Sequence, residues 1–345
     1  MTQDWYRAET WAERWRSLLT GQTALWNAPT PEPEPEPEPD PDPPADTIVH
    51  GTDLQTSDVG PRPGVTFVNQ SGPIFSQFDG EVIHSRNLTY EGSTGTATLT
   101  IRHNNVTVRD CKFAGAYKSN QINVDAGVTG VVIEHCRIDG LKARYGTDRA
   151  SSNFGNFGVF CASSAQITIR RCFVTGCRSG IRIGVGSHAY ENWVEELTPP
   201  ATGASTSSIG FRGGSPYTQT IIERNALETG TSTALAMYAS SGPIRNLDID
   251  DNYIIGIGLG FGMYGGYRNP GSDIRHHDNN QNIKIDGNRF SGEFAYPNVL
   301  GEGTNCAVNI DQPGNTFTNN RWLPGYGTIT GDLPARCGVR QNACE

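Results

Sequence analysis

One short phrase recurs along this chain, and it decides what the chain can fold into. It reads VTVRDCKF (106–113), VVIEHCRI (131–138), ITIRRCFV (167–174), TIIERNAL (220–227), LDIDDNYI (247–254), IKIDGNRF (283–290) and NTFTNNRW (315–322). Weaker copies are VIHSRNLT (82–89) and SHAYENWV (187–194). Apolar residues alternate, two polar positions follow, then Cys or Asn, then an apolar residue two places on. Alternation with period two is the mark of a β-strand. The Cys/Asn position falls at Asn87, Cys111, Cys136, Cys172, Asn192, Asn225, Asn252, Asn288 and Asn320, at intervals of 20 to 36 residues. A fixed phrase with variable filling predicts a solenoid with loops inserted between strands.

Each phrase therefore reads as part of one turn of a parallel β-helix, with successive turns about 4.8 Å apart. The Asn is expected at a corner, where it tolerates unusual φ and ψ and bonds the turn backbone and its stacked neighbours. Cys111, Cys136 and Cys172 fill the same corner as small buried side chains rather than as reactive groups. The eight Cys residues show no zinc-ligand spacing. Cys337 with Cys344, and Cys172 with Cys177, are near enough in sequence to close small loops.

Residues 1–46 have a different character. Residues 4–20 read as a helix, with Thr2 or Asp4 as N-cap and Gly21 as the stop. Trp5, Ala8, Ala12, Trp15 and Leu19 form one apolar stripe, widened by Trp11 and Leu18, opposite Arg7, Glu9, Glu13, Arg14 and Arg16. A helix this short is marginal alone, so the stripe predicts docking onto another protein or another copy. The spacer Pro29–Asp46 carries proline at nearly every second position and seven acids with no base. It predicts extended polyproline II, with a reach of roughly 50 Å.

The domain reading is thus a docking helix over 1–28, a linker over 29–46, a parallel β-helix over 47–330 and a C-terminal tail over 331–345. Most of the net charge of −9 sits in the linker, and residues 47–345 hold 26 acids against 24 bases. That body lacks the concentrated Lys and Arg that nucleic acid requires. No apolar run reaches the ~18 residues of a membrane span. The N-terminus shows no basic start followed by an apolar run, so export by a signal peptide is not expected.

DGEVIHSRNLTYEGSTGTATLTIRHNNVTVRDCKF, IRNLDIDDNYIIGIGLGFGMYGG, NIKIDGNRFSG and PGNTFTNNRW resemble right-handed parallel β-helix modules of the pectate-lyase-like superfamily. They are similar to a group found in actinobacterial secreted proteins and in tail proteins of their phages. The resemblance covers about 60–330 and implies the fold. It also implies a motif of the type His-Asn-Asp-Gly-Ile-Gln on one turn. The matching stretch here is STSSIGF, with Ser205 in place of the His, Ser207 of the Asp and Gly210 of the Gln. That departure removes a general base and its carboxylate partner.

Other candidates for chemistry are Lys142, Arg144, Asp148 and Arg149 in one loop, Asp273, His276, His277 and Asp278 in another, and Glu195 with Glu196. None has a diagnostic spacing, and no metal or cofactor is expected. A second set of strands is more coherent: INVD (122–125), IRIG (181–184), IGFR (209–212), LAMY (235–238), FGMY (261–264) and VNID (308–311). Their fourth residues predict an exposed column of Asp125, Gly184, Arg212, Tyr238, Tyr264 and Asp311, with Asn123, Arg182 and Asn309 beside it. Tyr rings beside Arg and Asp suit sugar rings, so Arg182, Arg212, Tyr238, Tyr264 and Asp311 are the expected glycan contacts.

The layout predicts a particle-bound appendage, a tail- or capsid-associated phage protein assembled in the host cytoplasm. Its helix (Trp5, Trp11, Trp15, Leu18, Leu19) would anchor it to another virion protein, and its β-helix would be displayed to cell-surface polysaccharide. Family habit adds a homo-oligomer. The alternative is a polysaccharide lyase or glycoside hydrolase on the same scaffold, acting outside the cell.

Overall fold

A computed structural model describes residues 54–90, 96–115, 120–140, 156–197, 207–229, 233–238, 242–257, 260–264, 280–293, 313–322 and 331–332. The chain divides into two compact units, Met1–Thr47 and Ile48–Glu345. The first unit, with its expected helix and linker, lies outside the described residues. So do the C-terminal Cys pair and the loops 141–155 and 265–279.

The described residues are all-β, with no helix, and form a parallel β-helix. Each turn from Val68 to Asp286 contributes one strand to each of three sheets, in the order I, II, III. The first turn supplies Val68–Ser71, Ile74–Phe75 and Val82–His84; a later one supplies Phe173–Thr175, Ser179–Ile183 and His188–Tyr190. Sheet I has 11 strands, sheet II has 8 and sheet III has 9. Pairing is parallel throughout except at Gly331–Asp332, which pairs antiparallel with Arg321–Trp322. Sheet I therefore extends slightly past the expected boundary at 330.

The apolar alternation builds three interior columns. Sheet I stacks Leu88, Phe113, Ile138, Val174, Val194, Leu227, Ile254 and Phe290 in register. Sheet III stacks Ile83, Val108, Ile133, Ile169, Ala189, Ile222, Ile249 and Ile285. Sheet II stacks Leu99, Ile122, Val159, Ile181, Ile209, Leu235 and Met263. All of these are buried in one continuous core. Each large side chain so buried stabilises the coil by about 1.5–3 kcal/mol.

The corner from sheet III to sheet I carries the recurring Cys or Asn. Cys111, Cys136, Cys172, Asn192, Asn225, Asn252 and Asn288 are 0% exposed. The Asn side chains form a ladder: Nδ2 of Asn192, Asn225, Asn252 and Asn288 donates to Oδ1 of the next Asn at 2.8–2.9 Å. Each Nδ2 also donates to a sheet III carbonyl one turn back, as from Asn252 to Ile222 at 2.9 Å. Each Oδ1 accepts the backbone N–H of the previous corner, as Asn252 does from Asn225 at 3.1 Å. The amide is thus fully used, which burial of a polar group requires. The thiols occupy the same place with weaker bonds, 3.6–3.7 Å to Ile83, Val108 and Ile133 carbonyls.

Three expectations need correction. The left-handed backbone belongs to the residue before the ladder, not to the ladder residue: φ is +50° at Asp110, +49° at His135, +51° at Arg171, +55° at Glu191, +52° at Arg224 and +51° at Asp251. The chain must reverse before the ladder side chain can point inward. And Asn87 is one residue too late. It pairs with Lys112, which puts Arg86 at the corner beside Cys111. Asn87 is instead held on the surface by Asn69, at 2.8 Å. Cys172 and Cys177 are buried free thiols, not a bridge.

A strap missed by sequence reading crosses the outside of sheet I. Residues 54–67 are rich in Gly, Pro and polar residues and show no period. Leu54 and Val59 pack with Phe173 and Ala226, flanked by Trp193 and Tyr253. The Gly60 N–H donates to the Arg171 carbonyl at 2.8 Å. Arg62 grips the buried Asp110 through Nε at 3.1 Å and Nη2 at 2.7 Å, and its backbone N–H adds a third bond at 3.0 Å.

Candidate functional site

Where the chain varies in length tells which face is free to specialise. From Asp110–Cys111 to Asn319–Asn320 the corner between sheets III and I is two residues at every turn. A ladder of buried bonds tolerates no insertion there. The long connections fall elsewhere: from Asp139 to Phe157 and from Glu195 to Ser207 before strands of sheet II, and from Tyr264 to Gln281 after one. Both variable borders enclose sheet II. Binding residues concentrate on loops held by a rigid scaffold and on the surface between them.

The outward face of sheet II carries one principal column. Phe75, Thr100, Asn123, Phe160, Arg182, Gly210, Ala236 and Tyr264 stand in register, strand by strand. Tyr264 therefore aligns with Arg182 and Ala236, two positions away from the column expected for it. The sequence offset arises because Thr233–Tyr238 pairs Ala236, not Tyr238, with Tyr264. Tyr238 does pair with Arg212. Asp311 lies outside the described residues. The strand Phe157–Cys161, with Phe160 in the middle of the column, was missed. It follows a long insertion, and only its Val159 and Cys161 alternation signalled it.

The column starts with Arg102 stacked on Phe75, 4.1 Å from the ring centroid, and reaching Asp125 at 3.6 Å. Asn123 donates to Asp125 at 2.8 Å. Further along, Phe157 and Phe160 meet edge to face at 5.3 Å. The Arg182 guanidinium lies over both rings, at 5.8 and 5.0 Å. Arg182 is 9% exposed, so it is not the open surface group the sequence suggested. Among the described residues it has no carboxylate partner. Arg212, one strand on, has its Nε buried without a hydrogen bond. Arg182 thus lies largely out of water against ring faces without an anion among the described residues, and the half-buried Arg212 stands on the next strand, two register positions along. A buried cation without a counter-charge is costly, and a planar fork of N–H donors matches a carboxylate or phosphate.

Sheet III presents a second charged face. Glu134, Arg170, Tyr190, Glu223, Asp250 and Asp286 are in register on successive turns. Arg170 bonds Glu134 at 2.6 Å and the Tyr190 hydroxyl at 2.8 Å. His188 bonds Glu223 at 3.0 Å, and this bond, with the nearby Arg224 charge, holds the Glu223 carboxyl below its ordinary range. Burial, then the charges of Asp248, Asp286, Asp251 and Glu223, push Asp250 up to about 7. Register neighbours are thus driven in opposite directions.

The other sequence candidates separate. Ser205 and the two polar loops lie outside the described residues, whereas Gly210 is in the principal column and Ser207 is buried. Glu195 is engaged by the Trp193 indole N–H at 2.8 Å. Among the described residues no helix is long and apolar enough to cross a membrane.

The fold and this face define a parallel β-helix protein with an arginine–aromatic column on its second sheet. No family model and no curated protein matches the chain. A solved structure titled "Glycoside hydrolase" is similar at 14% identity, over 72% of this chain and 41% of that one, with a TM-score of 0.23. A likeness that loose supports no argument about activity.

Proposed function

We propose that the protein binds an acidic polysaccharide along the outer face of sheet II. The observation that carries this reading is Arg182, nearly buried over the Phe157 and Phe160 rings without a carboxylate partner among the described residues, beside a strand that holds half-buried Arg212 with its Nε unpartnered. Sugar carboxylates would take the guanidinium donors, and ring faces would take the C–H surfaces of the sugars. The anchoring role of residues 1–28, through Trp5, Trp11, Trp15, Leu18 and Leu19, and the setting on a phage particle rest on the sequence layout alone. Affinity electrophoresis of the full chain in gels containing polygalacturonate, alginate or neutral dextran tests the binding. Retardation by the acidic polymers alone, weakened about tenfold or more by Arg212→Gln and by added salt, is expected. Equal retardation by dextran, or none by either acidic polymer, overturns it.

A second reading, hydrolysis of a glycan, is favoured by the Glu223–Asp250 pair. One carboxyl pushed up to about 7 beside one held below its ordinary range is the arrangement of a general acid and its partner. Release of reducing ends that disappears in both Asp250→Asn and Glu223→Gln would support it.

A further inference from the structure

The coil has one end where all three sheets stop together. Val68–Ser71, Ile74–Phe75 and Val82–His84 are each the last strand of their sheet, paired on one side only. Among the described residues no further strand pairs with their outer edges, though the Gln77 side-chain amide caps the Phe75 carbonyl, and edges of this kind invite further strands. The large hydrophobic side chains exposed among the described residues are Val68, Phe78 and Val82, at 54%, 60% and 50%. All three belong to this first turn. A cavity of about 350 Å³ opens beside them, lined by Ile74, Phe75, Val82, Ile83, Glu81 and Arg86 among others. Solenoid ends of this sort are normally capped, and the strap does not line the cavity.

We propose that this end docks onto the same end of a second copy, giving a head-to-head dimer about a two-fold axis. A triangle of strand edges is matched in size and pattern by another first turn, and each copy carries one. The mouth of the cavity also holds both signs of charge, Glu81 and Arg86. In a two-fold contact each residue meets its counterpart's partner twice, so Glu81 of one copy can face Arg86 of the other in both halves. The apolar trio then supplies the contact area, and the edges supply strand pairing.

Charge-swap variants of the full chain, followed by sedimentation velocity over a concentration series, test this. The wild type is expected to dimerise. Glu81→Arg alone and Arg86→Glu alone place like charges together and should each sediment as monomers. An equal mixture of the two variants should recover a dimer, because both contacts are then attractive. Phe78→Asp should also be monomeric, with an unchanged far-ultraviolet circular dichroism spectrum. A monomeric wild type overturns the proposal. So does a dimer that persists in both single swaps, which would place self-association elsewhere. If the wild type is monomeric and the amides of 68–84 are protected from hydrogen exchange, another segment of the chain covers this end and the proposal fails.

Discussion

At the scale of the residue, the corner amide does more than the corner thiol. Asn252 donates from Nδ2 to Ile222 and Asn288 and accepts at Oδ1 from the backbone and side chain of Asn225. Removing it strands several buried groups, each costing about 1–3 kcal/mol. Asn252→Ala is therefore expected to lower the urea midpoint markedly more than Cys136→Ala, which loses only weak S–H contacts to the Val108 and Glu134 carbonyls. Burial also pushes the Cys136 and Cys161 thiols up, the latter to about 12. Peptide mapping after iodoacetamide treatment should find Cys111, Cys136, Cys161, Cys172 and Cys177 unmodified in the native protein and modified in urea. Asp250 gives a pH signature. Its folded pKa of about 7 lies above the ordinary carboxylate range, so its charge opposes folding. The stability it allows is full below about pH 4 and is lost as pH rises through about 7. Asp250→Asn should thus leave stability unchanged at pH 4 and raise it by about 1 kcal/mol at pH 8. The half-exposed position limits the gain by screening.

At the scale of the element, the strap has the opposite pH dependence. Burial raises the Asp110 carboxyl, but the Arg62 bonds and charge outweigh it and hold it below its usual range. The stability from that pair is present above the ordinary carboxylate pKa and is lost as pH falls through the lowered one. Half-buried His135 beside it is held down chiefly by desolvation, so the strap region also loses stability as pH falls through the ordinary His range. A double-mutant cycle on Arg62→Ala and Asp110→Ala should show a coupling of about 1 kcal/mol or more at pH 7, and less at an acid pH where the lowered Asp110 carboxyl is protonated. Equal coupling at both values contradicts the ion-pair account. This element was not legible in the sequence. Leu54, Val59 and Gly60 serve a surface made by strands far along the chain, and nothing local marks them. The strands were legible, because inward alternation is a local property. The register that displaces Tyr264 from Tyr238 was not, since it depends on pairing across inserted loops.

At the scale of the whole unit, stability comes from neighbour-to-neighbour stacking, as in other solenoids. Phe113→Ala in the sheet I column should cost about 3–5 kcal/mol. Increased hydrogen exchange should be concentrated in the adjoining turns that hold Leu88 and Ile138, not spread evenly. The sequence phrase disclosed the coil and its corner. It disclosed the candidate face only in part. Arg182 and Arg212 were visible as outward positions, but the near-burial of Arg182 depends on what packs around it.

The stacked corner ladder is the frame for every placement above, and engineered disulfides test it directly. Adjacent turns lie about 4.8 Å apart, within the Cα separation a disulfide spans, whereas alternate turns do not. Expressed under oxidising conditions, Asn225→Cys/Asn252→Cys should form a 225–252 bridge that mass spectrometry detects, and Asn225→Cys/Asn288→Cys should form none between 225 and 288. A 225–288 bridge, or no bridge between 225 and 252, would contradict the coil and the face built on it.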